Sequence, residues 1–205
     1  MNKIIKKINF RRRFLYLLMI IRFPKYFFND NFIHPFSLIS RNVEILKGTN
    51  INGPCFLTSN TIIGKYCAIG YNLRIRVDSH SMDYPNILGK FQQRYKFKNI
   101  LKFKGEVNIG NACWIGDNVI ILADVRVGNG VVIGAGSIVT KDIPSYSVAA
   151  GNPARVLKYR FPDSVIHELE EIQWWDWDDE KIKKNANFFN TDLSKFNGTV
   201  KDVIV

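Results

Sequence analysis

The stretch that decides the fold is residues 107–144, which reads VNIGNACWIGDNVIILADVRVGNGVVIGAGSIVTKDIP. From Ile109 to Val139 a large aliphatic residue recurs at every sixth position, and a second, mostly smaller residue follows each of them by four positions. The same period runs through residues 39–79. The large positions are Ile39, Ile45, Ile51, Leu57, Ile63, Ile69 and Ile75, then Phe103, Ile109, Ile115, Ile121, Val127, Ile133 and Val139.

A six-residue period is typical of a parallel β-helix, whereas an α-helix requires a period near 3.6 and a simple amphipathic strand a period of 2. Each hexad then forms a short strand and a corner, with the large residue filling the interior of the coil. Glycine often follows the large residue, as at Gly64 and Gly116, and we interpret it as permitting a tight corner. With three hexads in each turn, the pattern predicts an all-β coil of about five turns.

The 205-residue length suits one domain with small appendages. We assign residues 1–38 to an N-terminal cap that is a basic amphipathic segment. The β-helix occupies residues 39–154, with an inserted loop at 81–102 where the period breaks. Residues 155–205 form a short C-terminal helical tail. Its tryptophans, Trp174, Trp175 and Trp177, predict a hydrophobic anchor against the coil or a neighbouring subunit.

The net charge of +11 is unevenly distributed. Residues 1–26 contain eight Lys or Arg and no acid, while residues 162–180 contain eight acids and no Lys or Arg. No helix-turn-helix, RNA-recognition or zinc-finger pattern accompanies the charge, so we expect no nucleic-acid partner. The apolar run Phe14–Ile21 is too short to span a bilayer. Two interpretations remain open for residues 1–26, a cap on the coil and a peripheral contact with an anionic membrane surface, and both can hold together.

The three cysteines, Cys55, Cys67 and Cys113, fall on the small inward positions of their hexads. We therefore predict buried core residues. Their odd number argues against a disulfide framework, and the absence of a CxxC spacing argues against zinc. These features favour a reducing, cytoplasmic setting, with the inner face of the membrane as the site of any peripheral contact.

A histidine stands where the regular coil ends and the inserted loop begins. Of the three histidines in the chain, only His80 lies at this point, on an outward position of its hexad. Histidine is the side chain best suited to remove a proton near neutral pH. Asp78 and Asp83 are close enough in sequence to orient the ring, and the sequence does not decide between them.

At this point the chain resembles the left-handed β-helix, or hexapeptide-repeat, acyltransferases. The resemblance covers roughly residues 40–182. It depends on the hexads and on four further segments, which are NACWIG at 111–116, IGAGSIVTKDIP at 133–144, GNPAR at 151–155, and the Trp-rich tail FPD at 161–163 through IQWWDW at 172–177. The tail is similar to that of the xenobiotic acetyltransferases, of chloramphenicol and streptogramin type, and of their sugar O-acetyltransferase relatives.

The resemblance implies a homotrimer with active sites between subunits, acetyl-CoA as co-substrate, direct transfer and no metal. It implies that His80 is the general base and that Trp114 shapes the acceptor pocket. It does not decide which acidic residue, Asp78 or Asp83, assists His80. It also leaves open which asparagine does so, Asn50, Asn52 or Asn60. The positions that correspond to CoA contacts are Asp117, Ala135, Thr140, Lys141, Arg155 and Lys158, the last two near the phosphates.

The expected function is therefore acetyl-CoA-dependent O-acetylation of a sugar hydroxyl in a surface polysaccharide or its precursor. The basic N-terminal segment is atypical of antibiotic-modifying members and favours a glycan acceptor. An antibiotic-inactivating acetyltransferase of chloramphenicol or streptogramin type is the alternative. A non-catalytic β-helix scaffold is a more distant alternative. The intact His80 and the intact 151–155 segment argue against it.

Overall fold

The computed structural model describes residues 10–58, 60–103, 105–196 and 198–205. Short parallel strands build a coil with three faces, and the chain visits the faces in turn. The first face contains β1 (Phe32–Ile33), β4 (Asn50–Ile51), β7 (Ala68–Ile69), β12 (Trp114–Ile115), β15 (Val132–Ile133) and β17 (Ser147–Gly151), followed by antiparallel β18 (Ala154–Tyr159). The second face contains β2 (Leu38–Ile39), β5 (Phe56–Leu57), β8 (Arg74–Arg76), β13 (Ile120–Leu122) and β16 (Ile138–Val139). The third face contains β3 (Val43–Ile45), β6 (Thr61–Ile63), β11 (Val107–Ile109) and β14 (Val125–Val127).

The register follows directly from the hexads. Three hexads make one coil, so Asn50 pairs with Phe32 one coil earlier and with Ala68 one coil later. The fold is the left-handed β-helix of the hexapeptide repeat, with about six turns. The number of turns exceeds the predicted five because the coil begins at Phe32, inside the range 1–38 that was predicted to be the cap.

The inward positions predicted from the hexads form the core. Of the large positions, Ile39 is partly exposed and the side chain of Phe103 lies outside the described part of the structure, and the other twelve are buried. The smaller inward positions whose side chains the structure describes are buried as well, including Cys55, Cys67 and Cys113, which form no disulfide. Burial raises the pKa of the Cys55 thiol to about 11, which is the behaviour of a core residue rather than of a nucleophile.

The glycines of the hexads have a different role from the predicted one. A Cβ on Gly64 would lie 2.5 Å from the Gly110 carbonyl oxygen, and a Cβ on Gly116 would lie 2.6 Å from the Ala135 nitrogen. Glycine is thus required because adjacent coils approach closely at these positions. The left-handed corner residue comes two positions later, at Tyr66, Asn72, Ala112, Asn118, Gly130 and Gly136.

The inserted loop leaves the coil through a two-stranded ribbon. Ala68 aligns with Asn50, 18 residues earlier, and with Trp114, 46 residues later, so the insertion adds 28 residues. The ribbon consists of β9 (Asp78–His80) and antiparallel β10 (Leu101–Phe103). Phe103 therefore belongs to the ribbon, and its predicted place in the coil is wrong. The loop also contains α3 (Gly89–Arg94).

The N-terminal cap closes the lower end of the coil. It consists of α1 (Phe10–Arg22) and α2 (Pro24–Phe27). Met19 is fully buried against the first coil, and the rings of Tyr16 and Phe32 are 4.9 Å apart. The Tyr26 hydroxyl donates to the Val43 carbonyl at 2.9 Å. The cap helices therefore pack on the first coil, while residues 1–9 lie outside the described part.

The helical part of the C-terminal tail, residues 160–205, lies along one side of the coil. It contains α4 (Asp163–Ile172), α5 (Asp179–Lys184) and α6 (Ala186–Asn190), with 3₁₀ turns at Trp174–Asp176, Leu193–Lys195 and Val200–Val203. Trp175 is buried in a second core with Leu169 and Phe188, and Trp174 contacts the Tyr66 ring at 5.4 Å. The predicted tryptophan anchor therefore packs against the coil itself.

Candidate active site

His80 occupies the last residue of β9, at the base of the inserted loop, and its side chain is exposed. Its ring is held by a backbone group, because Nδ1 lies 2.8 Å from the Ile87 carbonyl oxygen. A carbonyl only accepts hydrogen bonds, so Nδ1 carries the proton of the neutral ring. Nε2 is then the nitrogen with the lone pair, which is the arrangement a general base requires.

The other histidines have different surroundings. His34 is buried in the first coil, where its Nδ1 accepts from the Phe36 amide at 3.4 Å. His167 is exposed on α4, with its Nδ1 3.4 Å from a Glu171 carboxylate oxygen. His80 is thus the histidine that combines exposure with a loop carbonyl on Nδ1.

The two acidic candidates near His80 differ in what the structure describes. Asp83 accepts a hydrogen bond from the Ser81 hydroxyl at 2.9 Å. For Asp78 the structure gives the backbone pairing with Phe103 in the ribbon, and its side chain lies outside the described part. The contact that the sequence analysis missed is the Ile87 carbonyl. No side-chain signal could reveal it, since every residue has a carbonyl and the loop conformation selects this one.

The predicted cofactor residues lie along two different edges of the coil. We call the corner between the first and second faces the first edge, and the corner between the second and third faces the second edge. Thr140 and Lys141 follow β16 and are exposed on the second edge. The loop that carries His80 leaves from this same edge two coils below, since β13 pairs with both β8 and β16. The separation is about 10 Å, at roughly 4.8 Å for each strand.

The remaining cofactor candidates gather on the first edge and above it. Asp117 follows β12 and Ala135 follows β15, so they occupy successive coils of the first edge. Asp117 already has a structural role there, because its Oδ1 accepts from the Tyr71 amide at 2.6 Å. Arg155 and Lys158 are exposed on β18, which continues the first face at the upper end of the coil. Arg155 donates to the Ala154 carbonyl at 2.9 Å.

Trp114, the predicted acceptor-pocket residue, projects from β12 on the first face and is 61% exposed. Of the asparagines that the resemblance left open, Asn60 lies at the second edge, where its carbonyl accepts from the Val107 amide at 2.9 Å. Asn50 belongs to β4 of the first face and Asn52 follows it. Asn60 therefore shares the edge from which the loop of His80 leaves.

Comparisons with known proteins decide the family. Residues 106–141 match the family model of the bacterial transferase hexapeptide (six repeats). A probable macrolide acetyltransferase of Lysinibacillus sphaericus is 38% identical over 145 residues, which are 67% of this chain and 81% of that protein. The chain belongs to the hexapeptide-repeat acetyltransferase family. It is an acyltransferase, and the scaffold alternative is set aside.

Two further relatives of this acetyltransferase act on different acceptors. A chloramphenicol acetyltransferase of Klebsiella aerogenes is 37% identical over 130 residues, 60% of this chain and 62% of its own length. A solved galactoside acetyltransferase in complex with coenzyme A is 31% identical with a TM-score of 0.51, over 63% of this chain and 62% of that one. The relatives thus include both antibiotic and sugar acetyltransferases.

Among the described residues, no group of three or more His, Cys, Asp or Glu side chains is placed to hold a metal ion.

Proposed function

We propose that this protein transfers acetyl from acetyl-CoA to a hydroxyl of a sugar in a surface polysaccharide or its precursor, with His80 as the general base. The observation that carries the proposal is the 2.8 Å contact between His80 Nδ1 and the Ile87 carbonyl oxygen. It fixes the proton of the neutral ring on Nδ1, so Nε2 keeps the lone pair that a general base needs.

Acetyl-CoA supplies an acetyl group activated as a thioester, with a thiolate as leaving group. Nε2 of His80 accepts the proton of the acceptor hydroxyl as its oxygen attacks the acetyl carbon. The imidazolium then returns this proton to the departing sulfur, so the ring is regenerated in each cycle. Because the Ile87 carbonyl accepts from Nδ1, it also stabilises the charged ring between the two steps.

The described residues fit the cofactor chemically. Lys141, Arg155 and Lys158 are exposed cations that suit a polyanionic nucleotide. Gly136 has open space where a Cβ would stand, so the backbone of the first edge is accessible to a long, narrow ligand. These residues lie on both sides of the second face, and we infer that the edges of two subunits combine in one site.

A homotrimer is the assembly that we propose on this basis. Most outward residues of the second face are apolar, with Leu38 and Leu122 exposed and Ile120 and Ile138 half-buried. Arg74 and Arg76 of β8 are the exposed cations on this face. An apolar face of this kind is typical of a surface covered by another subunit. A neighbouring copy packed there would place its first edge beside the second edge of this one.

Mixing two variants tests the shared site. His80→Ala and Arg155→Ala subunits, each first assayed alone for residual activity, are co-expressed with different tags and purified through both. Recovered acetyl transfer in the mixed oligomer is the expected result if each site takes residues from two copies. A stable, active monomer on sedimentation contradicts the assembly, although it leaves the role of His80 open.

The loop supports a sugar as the acceptor. Phe91, Tyr95 and Phe97 form an exposed aromatic cluster, which we call the loop platform, with the Tyr95 and Phe97 rings stacked at 5.8 Å and 24°. The C–H faces of sugar rings pack on flat aromatic surfaces of this kind. The surrounding Lys90, Arg94, Lys96 and Lys98, with no acid between residues 89 and 98, favour a sugar that carries negative charge.

Antibiotic inactivation is the second candidate, favoured by the 38% identity with the macrolide relative over 81% of its length. A screen of acceptors for release of CoA thiol separates the two. We expect turnover with neutral and acidic oligosaccharides and little with chloramphenicol, streptogramins or macrolides. The reverse ranking would overturn the sugar assignment while leaving the acetyltransferase chemistry intact.

Replacing the base tests the mechanism. His80→Ala should lower the rate of acetyl transfer by roughly 10²–10⁴-fold, the usual contribution of a general base. Binding of CoA, measured by calorimetry, should persist because the ring is not a phosphate contact. His167→Ala is the matched control, as it removes an exposed histidine from α4 without touching the loop. Near-normal turnover in His80→Ala would exclude the proposed role.

A further inference from the structure

The N-terminal cap has two apolar faces, and packing against the coil covers one of them. The covered face contains Met19, which is fully buried, and the partly buried Leu15 and Tyr16. On the opposite face, Phe14 is 54% exposed, Leu17 is 56% exposed and Ile21 is 71% exposed. We call Phe14, Leu17 and Ile21 the outer stripe. An outer stripe of this kind is not needed to cap the coil.

Helical geometry separates the two faces clearly. At 100° for each residue, the centre of the outer stripe lies roughly 160° from Met19. Arg13 and Arg22 lie roughly 80–100° to either side of the outer stripe, and the Arg22 guanidinium packs over the Phe23 ring at 5.6 Å and donates to the Ser37 carbonyl at 3.3 Å. Cations on both flanks of an apolar stripe are typical of a helix that lies in a membrane interface.

Charge identifies the kind of surface that fits. Residues 1–26 hold eight Lys or Arg and no acid, so every charged side chain of the segment favours an anionic partner. Phe28, which directly follows α2, adds an aromatic ring that is 84% exposed. The helix has 13 residues, about 20 Å at 1.5 Å for each residue, and no helix in the described ranges is long and apolar enough to cross a bilayer.

We propose that α1 docks the enzyme on an anionic lipid bilayer, with the outer stripe in the interface and the basic residues at the headgroups. The coil stays outside the bilayer because the covered face of α1 is occupied by the first turn. Docking of this kind would hold the active site beside a lipid-linked acceptor. The proposal concerns binding alone, so it can fail or succeed independently of the acetyl transfer proposed above.

Co-sedimentation of the full chain with vesicles tests the proposal. The wild type should bind vesicles that contain phosphatidylserine or phosphatidylglycerol at low salt and be released at high salt. Replacing Arg11 and Arg13, which helical geometry places on the flanks of the outer stripe, by Gln should weaken partitioning roughly thirtyfold, from the contribution of each cation near such a surface. Vesicles of phosphatidylcholine alone should bind weakly.

A second variant distinguishes binding through the outer stripe from binding through charge alone. Leu17→Ser with Ile21→Ser should weaken binding at least tenfold without loss of fold, because both side chains are exposed. Ile62→Ser, on the exposed side of the third face, is the matched control and should bind like the wild type. Circular dichroism and acetyl transfer to a small soluble acceptor verify that each variant is folded.

Three results would overturn the proposal. The first is a wild type that ignores anionic vesicles at low salt. The second is vesicle binding that is unchanged in the Leu17 and Ile21 double variant, because charge alone would then explain the binding. The third is a wild type that self-associates but does not bind vesicles, with the self-association lost in the double variant. The outer stripe would then contact a second copy of the chain.

Discussion

The helices at the two ends of the chain pack on the coil in different ways. The N-terminal cap places Met19 in the core and leaves the outer stripe in solvent. The C-terminal tail instead collects its aromatic residues into a core of its own, where Trp175 and Phe188 are 4% exposed. The cap covers the apolar interior at one end of the solenoid, which would otherwise be open to water. The tail instead lies along one side of the coil, beside Lys47, Lys65 and Asn129.

The outward surfaces of the cap and the tail differ. The exposed acids of the tail form ion pairs with lysines of the coil, Lys47–Asp179 at 2.8 Å and Lys65–Asp176 at 2.7 Å. The cap faces solvent with apolar residues and cations. Packing on the coil requires one apolar face, as in the tail, so the second apolar face of the cap indicates a further contact.

The largest expected effect concerns the tail. Trp175→Ala removes the central side chain of the second core and should lower the free energy of unfolding by about 3–5 kcal/mol, as for other large aromatic truncations in a core. Chemical denaturation measures the change. Acetyl transfer under stabilising conditions should be less affected than stability. A loss below about 1 kcal/mol would show that the tail is loosely attached.

The corresponding change in the cap should be somewhat smaller. Met19→Ala leaves a cavity between α1 and the first coil, and we expect a loss of about 2–3 kcal/mol because a terminal helix can partly relax into the space. Leu17→Ala, two positions away on the outer stripe, is the control and should change stability by no more than about 0.5 kcal/mol. Equal losses in the two variants would contradict the two-faced helix.

The smallest effects concern the ion pairs of the tail. Lys65→Ala should cost less than about 1 kcal/mol, since its partner Asp176 is exposed and the pair is screened by solvent. Added salt should reduce the difference from the wild type, which thermal unfolding at two ionic strengths would measure. A large loss that is insensitive to salt would instead indicate that the Lys65 side chain contributes by packing.

The pH dependence of the Lys47–Asp179 pair has a definite sign. The hydrogen bond from Lys47 lowers the pKa of the Asp179 carboxyl below its usual value. The folded state therefore gains stability from this group above the ordinary aspartate pKa of about 3.9, and loses it as the pH falls through the lowered pKa. The unfolding midpoints of wild type and Lys47→Ala should differ near neutral pH and converge in acid. A difference that persists in strong acid would contradict this origin.

The sequence marks candidate site residues because the markers are side chains, and the roles of these residues stay predictions. His80 stands at a break in a strict period, and Thr140, Lys141 and Arg155 stand in recognisable motifs. The structure groups them in a way that the sequence does not reveal, with Thr140 and Lys141 on the edge of the loop and Asp117 and Ala135 on another. Proximity along the chain does not decide which corner of a three-faced coil a residue reaches.

By itself the sequence determined the coil, its core and the position of the insertion. A solenoid repeats one environment every six residues, so every inward position favours residues of similar size and polarity. The repeat can therefore be recognised from the residue types alone. The tertiary structure decided what depends on contacts between distant segments. It showed that the hexad glycines serve close stacking of coils, that a loop carbonyl holds His80, and that α1 keeps an apolar face outside the core. Each of these depends on the direction in which a group points after folding, which no local pattern of residue types specifies.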